Sequence, residues 1–251
     1  MDTKKLISCL CITYGKVSLL EEALESFLKQ DYPNKEMIII NDLKEQTLIF
    51  NHPQVKIFNY KERFSTVGEK RTKSVELATG DILTGWDDDD IVLPWRLSQT
   101  MDFFNFDTKL KYFLPSKRWI STNNILNFPV HEGVTNASWT KESALKINCF
   151  AKMNTGQDVE FDGRLRRSLK KEEIKIMTFP DDKYPNIYRW GTGYYHLSGY
   201  GKDPKAADKI EKSVKDKGIQ KEVILKPHWN LDWLQATRTY LVTKKEGVSC
   251  V

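Results

Sequence analysis

The sequence predicts an α/β fold, a mostly parallel sheet flanked by helices, with a C-terminal extension of helix and loop. Three observations carry this prediction. Strand-sized apolar runs alternate with helix-spaced segments over the first hundred residues, the order that builds a parallel sheet with helices on both faces. Turn residues punctuate that order at Gly15, Pro33 and Gly80. The chain has 251 residues, 40% of them hydrophobic, which suits a single α/β domain with additions.

Each element follows from its residues. Ile7 to Ile12 is an apolar run closed by a Gly turn, a buried strand. Ser18 opens a helix as N-cap, with Glu21 completing a capping box. Leu20, Ala23, Leu24, Phe27 and Leu28 then recur at helical spacing. Met37 to Ile40 and Val55 to Phe58 are the second and third strands. Glu69 to Thr79 is a helix stopped by Gly80. Ile82 to Trp86 is a fourth strand that runs into four aspartates, Asp87 to Asp90. Pro94 suits the first turn of the next helix. Further on, Tyr112 to Leu114, Ala137 to Trp139 and Ile174 to Thr178 are strand candidates. Lys141 to Ile147, Asp158 to Leu169 and Pro204 to Lys217 are helix candidates. Trp229 to Val242 closes the chain as an amphipathic helix with Trp229, Trp233, Ala236 and Tyr240 near one face.

Composition excludes several classes. Charged residues make up 29% of the chain, and no apolar run approaches the length that spans a bilayer. A soluble, cytoplasmic protein is expected. Cys9, Cys11, Cys149 and Cys250 lack metal-ligand spacing and read as free thiols, buried where they fall in strands. The net charge of +5 is uneven: Arg164 to Lys226 holds 16 Lys and Arg against 9 Asp and Glu. That basic third suits either an ordinary solvated helix or an anionic partner such as nucleic acid.

The four aspartates carry the chemistry. Adjacent carboxylates raise one another's pKa or recruit a cation. If the strand continues through them, Asp87 and Asp89 point the same way. Hard oxygen ligands suit Mg²⁺ or Mn²⁺, which keep waters and bridge to phosphates. The plainer alternative is a solvated acidic turn ahead of Pro94. The flanking strand and the Ile91-Val-Leu-Pro94 that follows favour a metal or donor site. Ligands of such sheets bind beyond the carboxyl ends of the strands, where Tyr14, Asp42 and Asp87 all fall.

At these residues the chain resembles a family 2 glycosyltransferase of the GT-A fold. Gly80-Asp-Ile-Leu-Thr-Gly-Trp-Asp-Asp-Asp-Asp-Ile-Val-Leu-Pro-Trp-Arg-Leu97 is similar to the family's strand, DxD motif and following Pro-x-(Lys/Arg)-Leu. Thr13-Tyr14 resembles the end of its first strand, and Ile38-Ile-Ile-Asn-Asp42 its strand ending in an Asp pair. Gly68-Glu-Lys-Arg71 resembles its Gly-x-x-x-Arg-Asn region, with Thr72 in place of Asn. Gly156-Gln-Asp158 resembles its Gly-Glu-Asp, with Gln157 in place of Glu. The resemblance spans roughly residues 5 to 165.

The resemblance implies roles. Thr13, Tyr14 and Asp42 would hold the nucleotide, with Asn41 in place of an acid weakening or redirecting base recognition. Arg71 would steady the donor pocket. Asp87 and Asp88 would contact the ribose and the metal shell, and Asp89 would bind Mn²⁺ or Mg²⁺. Asp158, at a helix N-terminus that favours its ionised form, would be the general base of an inverting transfer. His196, in the Gly- and aromatic-rich stretch Tyr188 to Gly201, is the best placed second metal ligand; Trp190, Tyr194 and Tyr195 beside it stack on a ligand or pack the core. His52, His131 and His228 have weaker context. The donor would be a nucleotide-sugar, a UDP-sugar first. The acceptor would be a glycan precursor, a protein, a small molecule or a hydroxylated DNA base. The organisation expected is a transferase domain over 1–201, its donor half 1–97 and acceptor half 98–201, with a basic extension over 202–251 packed on it. Two alternatives stand beside this reading. A nucleotidyltransferase would need a Gly-rich phosphate loop that Tyr14-Gly15-Lys16 does not supply. A non-catalytic nucleotide-sugar-binding relative has no need of Asp42, Asp89 and Asp158 together.

Overall fold

The structure, a computed structural model, describes residues 5–131, 133–196, 203 and 205–245. Cys250, Pro204 and the Leu197 to Gly201 part of the aromatic stretch lie outside the described residues, as do the side chains of His131 and Lys245.

The predicted parallel core is present. The chain runs β1 (Ile7–Thr13), α1 (Val17–Leu28), β2 (Lys35–Asn41), β3 (Thr47–Ile49), β4 (Val55–Asn59), α2 (Val67–Leu77), β5 (Ile82–Gly85), β6 (Ile91–Val92) and α3 (Arg96–Phe106). It continues through β7 (Tyr112–Pro115), β8 (Lys117–Thr122), β9 (Ile125–His131), β10 (Ser138–Thr140), α4 (Lys141–Lys146) and α5 (Gln157–Ser168). It ends with β11 (Ile174–Met177), β12 (Asn186–Trp190), α6 (Ala206–Asp216), β13 (Glu222–Ile224) and α7 (Trp233–Lys245). Seven strands form the main sheet in the order β11-β7-β10-β5-β1-β2-β4. The four strands β5-β1-β2-β4 pair in parallel, and β10 is inserted antiparallel between β5 and β7. Strands β1 and β2 are buried almost throughout, Cys9 and Cys11 with them as free thiols.

A second sheet, β6-β12-β8-β9, was not predicted. Its β8–β9 hairpin turns through Asn123 and Asn124 at φ 51° and 65°, the left-handed pair of a tight primed turn. Two asparagines adopt it without the Gly that marks such turns in a sequence. The short strand β6, directly after the aspartates, pairs antiparallel with β12 and so ties this sheet to the end of β5. In the extension, β13 pairs in parallel with β3.

Several helix starts differ from the sequence reading. Helix α1 begins at Val17, with Lys16 at the N-cap and no side-chain cap; Ser18 instead bonds the Tyr194 hydroxyl at 3.0 Å. The Ser18–Glu21 capping box does not form. Helix α2 begins two residues early because Thr66 caps it, its Oγ1 accepting from Glu69 N at 3.1 Å. Helix α3 begins at Arg96, so Pro94 precedes its N-cap Trp95. Trp229 lies ahead of α7, its indole N–H donating to Ser26 Oγ at 2.9 Å.

Two buried carboxylates tie the layers together. Glu36 of β2 accepts hydrogen bonds from Ser8 Oγ (2.6 Å), Thr79 Oγ1 (2.8 Å) and Gly80 N (3.2 Å), and pairs with Lys56 (2.8 Å). It thereby holds the α2–β5 junction against β1. A Cβ at Gly80 would meet Leu6 O at 2.7 Å, so only glycine passes there. Glu22 of α1 pairs with Arg189 of β12 at 2.8 Å, both nearly inaccessible. Arg189 Nε also donates to Asp89 O (2.6 Å), and its backbone N–H to Asp90 Oδ1 (3.0 Å). This arginine thus joins the helix, the second sheet and the aspartate turn.

Burial alone would raise Glu36, but its hydrogen bonds from Lys56, Ser8 and Thr79 outweigh that and hold it at about 2. A carboxylate depressed on folding adds stability above its ordinary value of 4.5, and that stability is lost as pH falls through about 2. Glu36→Gln is therefore expected to lower unfolding free energy by about 1–3 kcal/mol at pH 7. Urea titrations should show the gap between variant and parent closing as pH drops from 4.5 toward 2. Arg189→Ala leaves Glu22 buried without its partner and should cost about 3–5 kcal/mol. The double variant Glu22→Gln/Arg189→Met should recover much of that loss in the same assay.

Candidate active site

The carboxyl ends of β1, β2 and β5 open into a cavity of about 740 Å³. Thr13, Tyr14, Asp42, Arg71, Asp87, Asp88, Asp89, Asp158 and His196 all line it. The structure thus brings every sequence-predicted site residue to one place. They arrive from strand ends, from α2, from the first turn of α5 and from the loop after β12. Helix α6 of the basic extension completes the wall with Ala206, Ala207 and Ile210. It packs closely there: a Cβ at Gly15, at φ +72°, would lie 2.5 Å from Val214.

At one end, Thr13 and Asp42 meet Lys70. The buried Lys70 ammonium donates to Thr13 O at 2.6 Å and pairs with Asp42 Oδ1. Asp42 Oδ2 accepts from Phe64 N at 3.1 Å. The Arg63 guanidinium lies 4.3 Å over the Tyr14 ring. Asn41 is turned away from the cavity: its amide donates to Gln46 O (3.1 Å) and Asn59 Oδ1 (3.0 Å), and its Oδ1 accepts from Leu43 N (3.2 Å). It organises the turn after β2. Thr72 likewise clamps the Phe150 backbone, accepting from its N–H at 3.2 Å.

The aspartates do not continue the strand. β5 ends at Gly85, and residues 87–90 form a turn. The strand alternation that would aim Asp87 and Asp89 alike does not apply. Asp87 accepts from Arg71 at 3.0 Å. Asp88 and Asp89 share the Lys16 ammonium at 3.2 and 2.6 Å. Asp90 faces the second sheet, where Arg189 N–H meets one of its oxygens and the other has no partner. Burial opposes charge on Lys16, Asp88, Asp89 and Asp90. The pull of Asp88 and Asp89 overcomes it at Lys16, pushed well above its ordinary value. Lys16 overcomes it at Asp89, which is held low. Asp90 has no such cation; burial and the charges of Asp89 and Asp87 push it well up.

Helix α5 is entered through its N-cap Gly156, whose φ of +71° turns the chain into the helix. Asp158 lies in the first turn. Arg71 lies within the fields of Asp87 and Asp158, which together raise it against burial. Gln157 is 4% exposed, and its Oε1 has no partner. His196 stacks on Trp190, with centroids 4.1 Å apart, and meets Tyr188 edge-on at 5.4 Å. Its Nδ1 has no hydrogen-bond partner. Burial lowers its pKa despite the opposing pull of Asp89. Tyr195 donates to Tyr14 O at 3.0 Å, and its ring lies 4.6 Å from Lys16 Nζ. Among the described residues, no group of three or more His, Cys, Asp or Glu side chains is gathered to hold a metal ion.

Lys16, Lys70, Arg63 and Arg189 escaped the sequence reading. One signal pointed to two of them: buried carboxylates need cations, Lys16 follows the Thr13-Tyr14 motif closely, and Lys70 lies within Gly68-Glu-Lys-Arg71. Nothing local marked Arg189, a hundred residues from its partner Asp89.

Residues 8–168 match the model of Glycosyl transferase family 2. WcaA of Escherichia coli (strain K12), named as a colanic acid biosynthesis glycosyl transferase, is 34% identical over 39% of this chain and 37% of its own length. YwdF of Bacillus subtilis (strain 168), named as a glycosyltransferase, is 28% identical over 43% of each. The chain thus spans less than half the length of these curated relatives. Among solved structures, S. aureus TarS 1–349 in complex with UDP-GlcNAc superposes with a TM-score of 0.63 at 14% identity, over 86% of this chain and 68% of that one. The mannosyltransferase PcManGT of Pyrobaculum calidifontis, in complex with GDP-Man and Mn²⁺, gives 0.55 at 15% identity, over 99% and 77%. These structures share the mixed α/β fold of the GT-A type. No helix among the described residues is long and apolar enough to cross a membrane. With a match over well more than half its length, the chain belongs to glycosyl transferase family 2.

Proposed function

We propose that the protein transfers a sugar from a nucleotide-sugar, a UDP-sugar first, to an acceptor hydroxyl with inversion at the anomeric carbon. One observation carries this reading: Asp158 and the Asp87–Asp89 turn line one cavity that also holds Thr13, Tyr14 and Asp42. The relatives' names and the UDP-GlcNAc and GDP-Man in the TarS and PcManGT structures support a nucleotide-sugar donor.

Asp158 is the base. As the acceptor oxygen bonds to the anomeric carbon, the bond from that carbon to the diphosphate breaks and its electron pair leaves with the diphosphate. The hydroxyl proton passes to the Asp158 carboxylate. One base and one displacement give inversion. Asp158 lies in the first turn of α5, and its charge acts on Arg71, which also pairs with Asp87. Tyr14 and Asp42 hold the nucleoside at the far end, with Lys70 fixing the rotamer of Asp42.

The residues present fit a divalent cation, Mn²⁺ or Mg²⁺. Asp89 and His196 both line the cavity, and the buried Nδ1 of His196 has no hydrogen-bond partner. Two protein ligands leave room for waters and phosphate oxygens, the habit of these ions at diphosphates. The ion, when bound, neutralises charge on the departing nucleoside diphosphate.

Thermal unfolding with a panel of nucleotide-sugars, with and without Mn²⁺, tests the donor. A UDP-sugar with Mn²⁺ is expected to stabilise the protein by about 2.7 kcal/mol at a hundred times its Kd. No shift with any nucleotide-sugar would overturn the reading. Asp158→Asn should lower kcat about 10²- to 10⁴-fold while leaving UDP affinity, measured by calorimetry, unchanged. Full activity in that variant would remove Asp158 as the base.

A further inference from the structure

Lys16 is placed where helix physics disfavours it. It stands at the N-cap of α1, where its side chain caps no N–H, against the positive end of the helix dipole. Gly15 before it needs a left-handed φ of +72° to set the turn. Its side chain is buried, sealed by the Tyr195 ring 4.6 Å away. All of this is offset by one pair of contacts, 2.6 Å to Asp89 and 3.2 Å to Asp88. The ammonium therefore stands on Asp89, the carboxylate proposed for the metal, and on its neighbour Asp88.

We propose that Lys16 is a resident counter-cation that makes metal binding conditional on the donor's diphosphate. This rests on the metal-assisted reading above and specifies how the metal is admitted. Without donor, a divalent ion at Asp89 meets a fixed positive charge a few ångströms away and must share or displace it. A diphosphate entering the cavity brings negative charge enough for both cations. The ammonium then turns from the carboxylates to a phosphate oxygen, and Asp89 is released to the metal. Lys16 acts here through Asp88 and Asp89, as a positioning residue that couples two ligands.

Coupling is reciprocal, so each ligand must raise the other's affinity by the same factor. Mn²⁺ binding to the full chain, followed by electron paramagnetic resonance of the free ion, measures that factor with and without UDP. In the parent, UDP is expected to tighten Mn²⁺ binding strongly. In Lys16→Met, Mn²⁺ alone should bind about tenfold tighter or more, since a nearby like charge is gone. UDP alone should bind more weakly, and the coupling factor should fall about tenfold. Lys16→Arg keeps the charge and should keep Mn²⁺ alone weak. Should Lys16→Met fail to fold, Lys16→Gln, which keeps hydrogen bonds without charge, carries the same expectation. If the parent binds Mn²⁺ with UDP but the neutral variants leave both Mn²⁺ affinity and coupling unchanged, the inference is overturned and the metal reading stands. If the parent binds no Mn²⁺ even with UDP, the metal reading falls and this inference falls with it.

Discussion

Four consecutive carboxylates beyond a buried strand impose the governing constraint on this molecule. Asp88, Asp89 and Asp90 are all buried, and such charges persist only when paired or hydrogen-bonded. The chain meets the demand from three directions. Lys16 comes from the turn after β1, Arg71 from α2, and Arg189 from the second sheet. Each cation belongs to a different layer, so holding the turn together also holds the layers together.

The arrangement explains why the second sheet and the extension belong to the site rather than merely adjoining it. Strand β6 leaves the aspartate turn and pairs at once with β12. β12 delivers Arg189 to the turn from below, and the loop after it brings Tyr195 and His196 to the cavity. Trp229 of the extension bonds to Glu22 O and Ser26 on α1, beside the Glu22–Arg189 pair. Helix α6 supplies apolar wall from within the basic extension; its Ala206, Ile210 and Val214 are buried, while its lysines are exposed.

The parallel core was legible because its signals are local. Runs such as Met37 to Ile40 are buried on both faces, so burial writes itself into consecutive residues. The motif residues were legible for the same reason: strand ends converge by topology, and Thr13, Asp42 and Asp87 each end a strand or follow one directly. The β8–β9 hairpin was not legible. Its Asn123-Asn124 turn lacks the usual Gly, and Ile125 and Phe128 on its outer strand are exposed, which blurs the alternation that marks a half-buried strand. The capping box at Ser18 was a local signal overruled by tertiary structure, because Lys16 is drawn to the aspartates and the helix starts where that reach requires.

The sequence by itself determined the order of strands and helices, the rim where ligands gather and the identity of the carboxylates there, since all of these depend on neighbours in the chain. Only the tertiary structure decided which cations Asp87, Asp88 and Asp89 meet, which way Asn41 faces and how Arg189 reaches the aspartate turn. The aspartate contacts join residues 16 to 100 positions apart. Electrostatic pairing in a buried site depends on distance through space, and no periodicity along the chain records it.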